Sequence, residues 1–175
     1  ALFNKDKLAD TIFKDIELKY NNVKELAKTA KRKPKVLSGV MYKDKWNMPA
    51  GDSFGAQLLR DANVNYPWQK SIGTGSLSLS FEAVFDKARD AEIWISPGFF
   101  SSFNQLKESN KHYTKFDAFQ NKNIYNSMNR KGETGGVLYY ELAPVQPHIV
   151  LKDIIKVMHP NLLPQYELYY FQQLN

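Results

Sequence analysis

Apolar residues recur along the first part of the chain with the spacing of one long amphipathic helix. Within residues 5–31 they stand three, four and seven positions apart, so they would share one face of a helix. They are Leu8, Ile12, Ile16, Val23, Leu26 and Ala30, with Phe13, Tyr20 and Ala27 widening the stripe. Pro34 cannot continue a helix, so the pattern predicts that the helix ends before it.

The rest of the chain alternates between short apolar runs and amphipathic segments. Three runs are typical of buried strands, and they cover residues 35–42, 91–96 and 123–126. Further helices are predicted over residues 54–62, 81–88, 102–108, 116–120 and 148–158. Turn-forming residues predict loops over 43–51, 64–76 and 127–136.

Strands that alternate with helices imply an α/β fold with a mainly parallel sheet covered on both faces. An open sheet of this kind binds ligands beyond the carboxyl ends of its strands. Those ends correspond to residues 42–51, 97–103 and 127–141, and all three segments contain aromatic or basic residues. We therefore expect the binding face at these loops.

Several side chains in these loops are candidates for ligand contact. Large apolar and aromatic faces at strand ends suit a large planar ligand, although they could equally cover the sheet ends. The candidates are Trp46, Met48, Phe99, Phe100, Tyr139 and Tyr140. Arg130, in the glycine-rich loop, could meet ligand carboxylates or catecholates through charge-assisted hydrogen bonds, or remain a solvated charge.

Composition narrows the possible chemistry. The chain has 175 residues, of which 43% are hydrophobic and 24% charged, as in an ordinary globular domain. It has no cysteine, which excludes disulfides, thiolate metal sites and cysteine nucleophiles. Its three histidines are scattered, so no metal site is expected. Residues 73–76 lack the third glycine of a dinucleotide fingerprint and are predicted to be a plain turn.

Taken in order, several segments resemble the carboxy-terminal half of class III substrate-binding proteins of ABC importers, the type that serves ferric siderophores, haem and cobalamin. The segments are 34–39, 48–54, 79–84, 90–98 and 144–160, and together they span nearly the whole chain. The resemblance implies a Rossmann-like three-layer α/β lobe over residues 34–175. Residues 1–33 would be the end of the long helix that links two lobes.

The same resemblance implies a non-catalytic function without a cofactor. A ferric siderophore, haem or cobalamin would bind between this lobe and an amino-terminal lobe that the chain lacks. Glu82, in the first turn of its helix, stands where the family places the acid that docks to arginines of the permease. The resemblance also implies a location in the periplasm or at the outer face of the inner membrane, with a lipid anchor on the missing amino terminus.

Two other classes of function stay open on the sequence. An α/β enzyme acting on a nucleotide or another small anionic substrate predicts a glycine-rich phosphate loop after the first strand, where only Gly51 is present. A basic nucleic-acid-binding module would explain the net charge of +6. However, its basic residues should gather on one face, whereas here they are spread along the chain among 18 acidic residues, so we expect no nucleic-acid partner.

Overall fold

The computed structural model describes residues 5–175, which form seven helices of the α type and seven strands. The strands are β1 (Val36–Ser38), β2 (Val40–Tyr42), β3 (Lys45–Pro49), β4 (Ser76–Leu79), β5 (Ile93–Ile95), β6 (Ile124–Asn126) and β7 (Gln172–Gln173). The helices are α1 (Asp6–Lys28), α2 (Phe54–Asp61), α3 (Phe81–Ala88), α4 (Phe103–Ser109), α5 (Asp117–Gln120), α6 (Leu138–Leu142) and α7 (Pro147–Met158). Short 3₁₀ helices cover Lys111–Lys115, Ala143–Val145 and Pro160–Leu162.

The larger sheet has the strand order β1-β5-β6-β7 and is mainly parallel, as the sequence predicts. Strands β1, β5 and β6 run parallel, and only β7 is antiparallel. Asn65 extends the sheet on the other side of β1, because its backbone accepts from Val36 N at 3.0 Å and donates to Pro34 O at 2.9 Å. Strand β1 therefore has a hydrogen-bonded neighbour on each side, Asn65 on one and β5 on the other.

Helices cover both faces of this sheet. Successive residues of β5 point to opposite faces: Ile93 lies beside Met158 of α7, whereas Trp94 packs on Tyr113 and Phe116. Helix α7 packs in turn against α1 and α2. The result is the three-layer α/β architecture that the alternating pattern indicates.

A second, antiparallel sheet of strands β2, β3 and β4 was not predicted. Residues 35–42 were expected to be one strand, but Gly39 divides them between the two sheets. Residues 43–51 were expected to be a loop, but they contain β3, in which Trp46 and Met48 are buried and Lys45 is exposed. Alternating exposed and buried residues are typical of a strand, but the turn-forming residues around them favoured the prediction of a loop.

Helix α1 is close to its predicted length, but only part of its apolar stripe is covered. Ala27 is buried, and the Tyr20 hydroxyl donates to Asp61 of α2 at 2.8 Å. Further towards the amino end, Leu8, Ile12 and Phe13 are 54%, 50% and 71% exposed. None of the helices within residues 5–175 combines the length and the apolar character needed to cross a membrane.

The remaining predicted helices agree with α2, α3, α4, α5 and α7 to within about two residues at each end. Serine side chains explain where three of them begin. The hydroxyls of Ser53, Ser80 and Ser102 accept hydrogen bonds from the backbone N–H groups three residues ahead, at 3.2–3.3 Å. Strand β4 and helix α6 were not predicted from the sequence.

We expect Gly39→Ala to destabilise the fold strongly. Gly39 has a φ of +77°, and a Cβ atom there would lie 1.9 Å from the backbone oxygen of Asn47. The position of a Cβ is fixed by its own backbone, and the Asn47 oxygen is itself a backbone atom, so no side-chain rotation can relieve the overlap. We therefore expect a loss of about 3 kcal/mol or more in the free energy of unfolding.

Urea denaturation of the purified chain measures this loss. The matched control is Gly75→Ala, since a Cβ at Gly75 meets nothing within 4 Å, and its effect should stay within about 0.5 kcal/mol. Equal stabilities of the two variants would contradict the close approach of β1 and β3 at Gly39.

Candidate functional site

An open cavity of about 520 Å³ lies at the carboxyl edge of the parallel strands. Its base is formed by the last residues of β1 and β5, Ser38 and Ile95, and by the residues that follow them, Gly39 and Ser96. From β1 the chain proceeds to Asn65 on one side, and from β5 it proceeds to β6 on the other. The cavity therefore lies at the point where the strand order reverses, which is where open α/β sheets bind their ligands.

Two groups of elements form the walls of the cavity. One wall consists of β3, the start of α2 and residues 74–76. The other consists of Ser127 after β6, two residues of α6 and Phe171 of the carboxy-terminal segment. Apolar side chains of α2 and α7 contribute as well; they are Leu58, Leu59 and Ile154. No lining residue is an aspartate, glutamate, lysine, arginine or histidine.

The backbone at the end of β5 is held in an uncommon conformation. Ser96 has a φ of +56°, a region that residues other than glycine seldom adopt, and Gly98 has a φ of +94°. The Ser96 N–H donates to Tyr125 O at 2.8 Å, which keeps Ser96 paired with β6 while the chain turns away. Such local strain is concentrated at functional sites in proteins, and here it lies at the base of the cavity.

Asp153 of α7 secures the carboxy-terminal segment beside the cavity. Its carboxylate is fully buried and accepts hydrogen bonds from the Tyr166 hydroxyl at 2.6 Å and from the Phe171 N–H at 3.0 Å. The N–H groups of Tyr169 and Tyr170 also donate to it, at 2.9 Å and 2.5 Å. These bonds satisfy the buried charge and position Phe171 in the cavity wall.

Tyr139 and Tyr140 form an aromatic corner of the cavity. The Tyr139 ring meets the rings of Tyr140, Tyr170 and Phe171 edge to face, with centroids 5.4–5.8 Å apart. Burial raises the pKa of Tyr139, so its hydroxyl stays protonated at neutral pH. Tyr140 is 57% exposed and lies 5.6 Å from the ring of Phe99, so this pair stands at the open rim.

The structure brings together some of the predicted ligand contacts and separates others. Tyr139, Tyr140 and Met48 line the cavity. Phe99 lies at the rim of the cavity, beside the ring of Tyr140. Phe100 is half-buried, and its backbone oxygen accepts a hydrogen bond from the Asn126 side chain at 2.5 Å. Neither phenylalanine is among the lining residues.

One expectation about ligand contacts needs correction. Trp46 was expected in a loop at the binding face, but its ring is fully buried 5.3 Å from that of Trp94, and its Nε1–H donates to Ser38 O at 2.9 Å. Trp46 therefore supports the base of the cavity from within the core and offers a ligand no surface. Arg130 is exposed and lies outside the lining, with its guanidinium stacked 4.1 Å over the ring of Tyr169, and its contact with a ligand stays a prediction.

Sequence reasoning missed the small polar residues of the cavity. Ser96 is the last residue of one predicted strand and Ser127 directly follows another, so their position at strand ends was the available signal. Residues 73–76 were predicted to be a plain turn, but the chain bends at Thr74 and Gly75 and enters β4 at Ser76, and all three residues line the cavity. Serine and threonine are too common in turns for their presence alone to indicate a site.

Glu82 lies outside the cavity, fully exposed in the first turn of α3. A hydrogen bond from its own backbone N–H, together with the hydroxyl of Ser80, holds the pKa of Glu82 below its usual range. The side chain is therefore a fixed negative charge on the surface at neutral pH. Elsewhere in residues 5–175, no group of three or more histidine and acidic side chains is arranged to hold a metal ion.

Two archaeal proteins are similar in sequence to this chain. An uncharacterized lipoprotein of Methanocaldococcus jannaschii is 24% identical over 178 residues, which cover 100% of the chain and 40% of that protein. A second uncharacterized protein of the same organism is 24% identical over 166 residues, covering 93% of the chain and 47% of that protein. The chain thus spans less than half the length of these relatives. No protein-family model matches it.

Solved structures with the same fold are solute-binding proteins. The TroA-like periplasmic binding protein FepB of Veillonella parvula superposes with a TM-score of 0.68 at 15% identity, over 98% of this chain and 57% of its own. A possible iron-binding periplasmic protein of Staphylococcus epidermidis gives 0.66 at 17% identity, over 90% and 57%. CeuE of Helicobacter pylori, solved with Ni(II) bound, gives 0.65 at 16% identity, over 91% and 48%. The α/β fold of this chain is therefore that of one part of such proteins.

Proposed function

We propose that this chain is the carboxy-terminal lobe of an ABC-importer substrate-binding protein and that it holds a ligand without chemical change. The observation that carries the proposal is the cavity at the reversal of strand order, open on one side and bordered by Tyr139 and Tyr140. Its lining has no acidic, basic or histidine side chain to transfer protons, and its hydroxyl and aromatic groups suit binding.

The exposed stripe of α1 supports a second lobe as the partner of this one. Leu8, Ile12, Phe13 and Leu18 are each half or more exposed, an unusual density of large apolar side chains for a solvated helix. The relatives that match the chain are more than twice its length, and so have further residues that could cover this stripe. In this proposal residues 1–33 are the end of the linking helix and residues 34–175 are the lobe.

The ligand we propose is a ferric siderophore, haem or cobalamin. A cavity of about 520 Å³ with one open side is suited to hold part of a large ligand whose other part lies against the missing lobe. The exposed pair of Phe99 and Tyr140 offers flat apolar surface at the rim. Names of similar structures, which include a possible iron-binding protein and a haem-binding protein of Vibrio cholerae, agree with this class.

The arrangement after β1 argues against the enzyme alternative. A nucleotide-dependent α/β enzyme would lead from its first strand through a glycine-rich loop into a helix whose amino end binds phosphate. Here β1 leads through Gly39 directly into β2 and a second sheet.

Glu82 is the residue we propose for docking to the permease, which would place the protein in the periplasm or at the outer face of the inner membrane. Its carboxylate is exposed in the first turn of α3, and its own N–H and the Ser80 hydroxyl lower its pKa, so it is ionised at neutral pH. A fixed, exposed charge of this kind can pair with arginines of a membrane partner and guide the encounter. A lipid anchor on the preceding residues of the full protein would hold it there.

Calorimetric titration of the chain with ferric siderophores, haem and cobalamin tests capture by the cavity. We expect saturable one-to-one binding of one ligand class, weakened about ten-fold or more by Tyr140→Ala, since Tyr140 borders the cavity and is exposed enough to be replaced without loss of the fold.

The matched control for this titration is Tyr42→Ala. Tyr42 is 70% exposed on β2 and lies outside the cavity lining, so its removal should leave the affinity unchanged. Absence of binding across the whole panel, or equal effects of the two substitutions, would contradict capture at this site.

We expect Glu82→Gln to weaken association with permease-containing membrane vesicles by roughly five-fold or more at low ionic strength, and less at high salt. Asp117→Asn is the control, because Asp117 is likewise an exposed acid in the first turn of its helix, α5. Co-sedimentation with the vesicles measures both. A loss of the same size for both variants would show that only net charge matters and would overturn the role of Glu82.

A further inference from the structure

The lining of the cavity is uncharged although the chain as a whole is strongly basic. The net charge is +6, and 42 of the residues are lysine, arginine, aspartate or glutamate (24 basic and 18 acidic), yet none of these lines the cavity. Two ionisable residues on the loops around it are engaged elsewhere. Arg130 stacks on Tyr169, and Asp52 accepts from the Gly73 N–H at 2.9 Å.

Arg60 is another charged side chain whose hydrogen bonds go to residues outside the cavity lining. It belongs to α2, whose first turn forms part of the cavity wall. One of its guanidinium nitrogens donates to Gly51 O at 2.6 Å and the other to the Gln57 side chain at 2.9 Å. Its guanidinium is therefore hydrogen-bonded to Gly51 and Gln57, neither of which lines the cavity.

Free hydroxyl groups take the place of charges around the cavity. Within residues 5–175, the side-chain hydroxyls of Ser38, Ser96, Ser127, Tyr139 and Tyr140 have no hydrogen-bonding partner in the protein. Each can donate one hydrogen bond and accept others, and they lie among the apolar residues of the lining. Such a surface suits a ligand face with neutral donors and acceptors, such as amides, hydroxamates or hydroxyls.

We propose, building on the function proposed above, that this lobe selects the uncharged face of its ligand and discriminates against anionic chelates. An anionic group placed against this lining would lose water and meet only neutral hydroxyls, so its desolvation would be poorly offset. A neutral face would exchange its water for hydroxyl partners and apolar contact at little cost. Any net charge on the ligand is then met by the other lobe.

Two features of the chain act in the opposite direction and make the test decisive. The net positive charge attracts anions at long range, and the amino end of α2, at Ser53 and Phe54, carries a partial positive charge towards the cavity. If these dominate, anionic ligands will bind more tightly and with a strong dependence on salt.

The experiment compares two ferric chelates of similar size and opposite character on the 175-residue chain. An uncharged ferric tris-hydroxamate and a trianionic ferric tris-catecholate are titrated by calorimetry at roughly 0.05 M and 0.5 M salt, a range over which the Debye length falls from about 14 Å to about 4 Å. We expect the uncharged complex to bind at least about ten-fold more tightly, with an affinity that salt hardly changes.

A charge-adding variant provides an independent measurement. Thr74→Arg places a cation in the lining at an exposed position, and Ser78→Arg places one at an exposed position of β4 outside it. We expect Thr74→Arg to raise the affinity for the trianionic complex about ten-fold or more, and Ser78→Arg to leave it unchanged.

The outcomes separate this inference from the function on which it rests. Tighter, salt-sensitive binding of the trianionic complex to the unmodified chain would overturn the selection for an uncharged face and leave capture by the cavity standing. Equal gains from Thr74→Arg and Ser78→Arg would also overturn it, because the cavity lining would then not be what sets the charge preference. Absence of binding for every ligand would overturn both.

Discussion

Two indole N–H groups hold the point from which the rest of the structure is organised. Trp46 donates to the backbone oxygen of Ser38 at 2.9 Å, and Trp94 donates to that of Gly39 at 2.8 Å. These oxygens belong to the residues at which β1 ends and the chain crosses into the second sheet. A carbonyl that leaves solvent at a strand end needs a hydrogen-bond donor, and each indole supplies one.

The same two rings join the layers of the fold. They lie 5.3 Å apart, one in each sheet, and both pack against Tyr113 and Phe116. Because Ser38 and Gly39 also form the base of the cavity, the aromatic cluster makes the base rigid, while the rim at Phe99 and Tyr140 stays open. A base packed on the core, with an exposed rim, fits the ligand and partner-lobe contacts proposed above.

The fold was largely predictable from the sequence because its helices and parallel strands have local signals. Apolar spacing located α1 and α7, and the compact apolar runs located β5 and β6. The break at Gly39 was not predictable, since its cause is the backbone of Asn47, eight residues ahead and brought close only by the folded chain. Trp46 was misplaced for a related reason: turn residues surround it, and the partner that buries it, Trp94, is distant in sequence.

The candidate site was predictable as a region and not as a set of residues. Strand ends gave its place, and Tyr139 and Tyr140 lie there. Its polar lining depends on which hydroxyls remain without a protein partner, and that is a property of the folded arrangement. Arg130 illustrates the limit, because a charge in a glycine-rich loop suited a ligand equally well on the sequence but stacks on Tyr169 in the structure.

Hydrogen–deuterium exchange of the chain, with and without the ferric tris-hydroxamate, tests most directly whether ligand binds at the carboxyl edge of the sheet. Binding there predicts slower exchange in peptides that contain residues 38–39, 53–55, 96–98, 127 and 138–140, which border the cavity. Exchange around Glu92 and Asn123, at the amino ends of β5 and β6, should not change. Protection confined to those amino ends would contradict the assignment of the site.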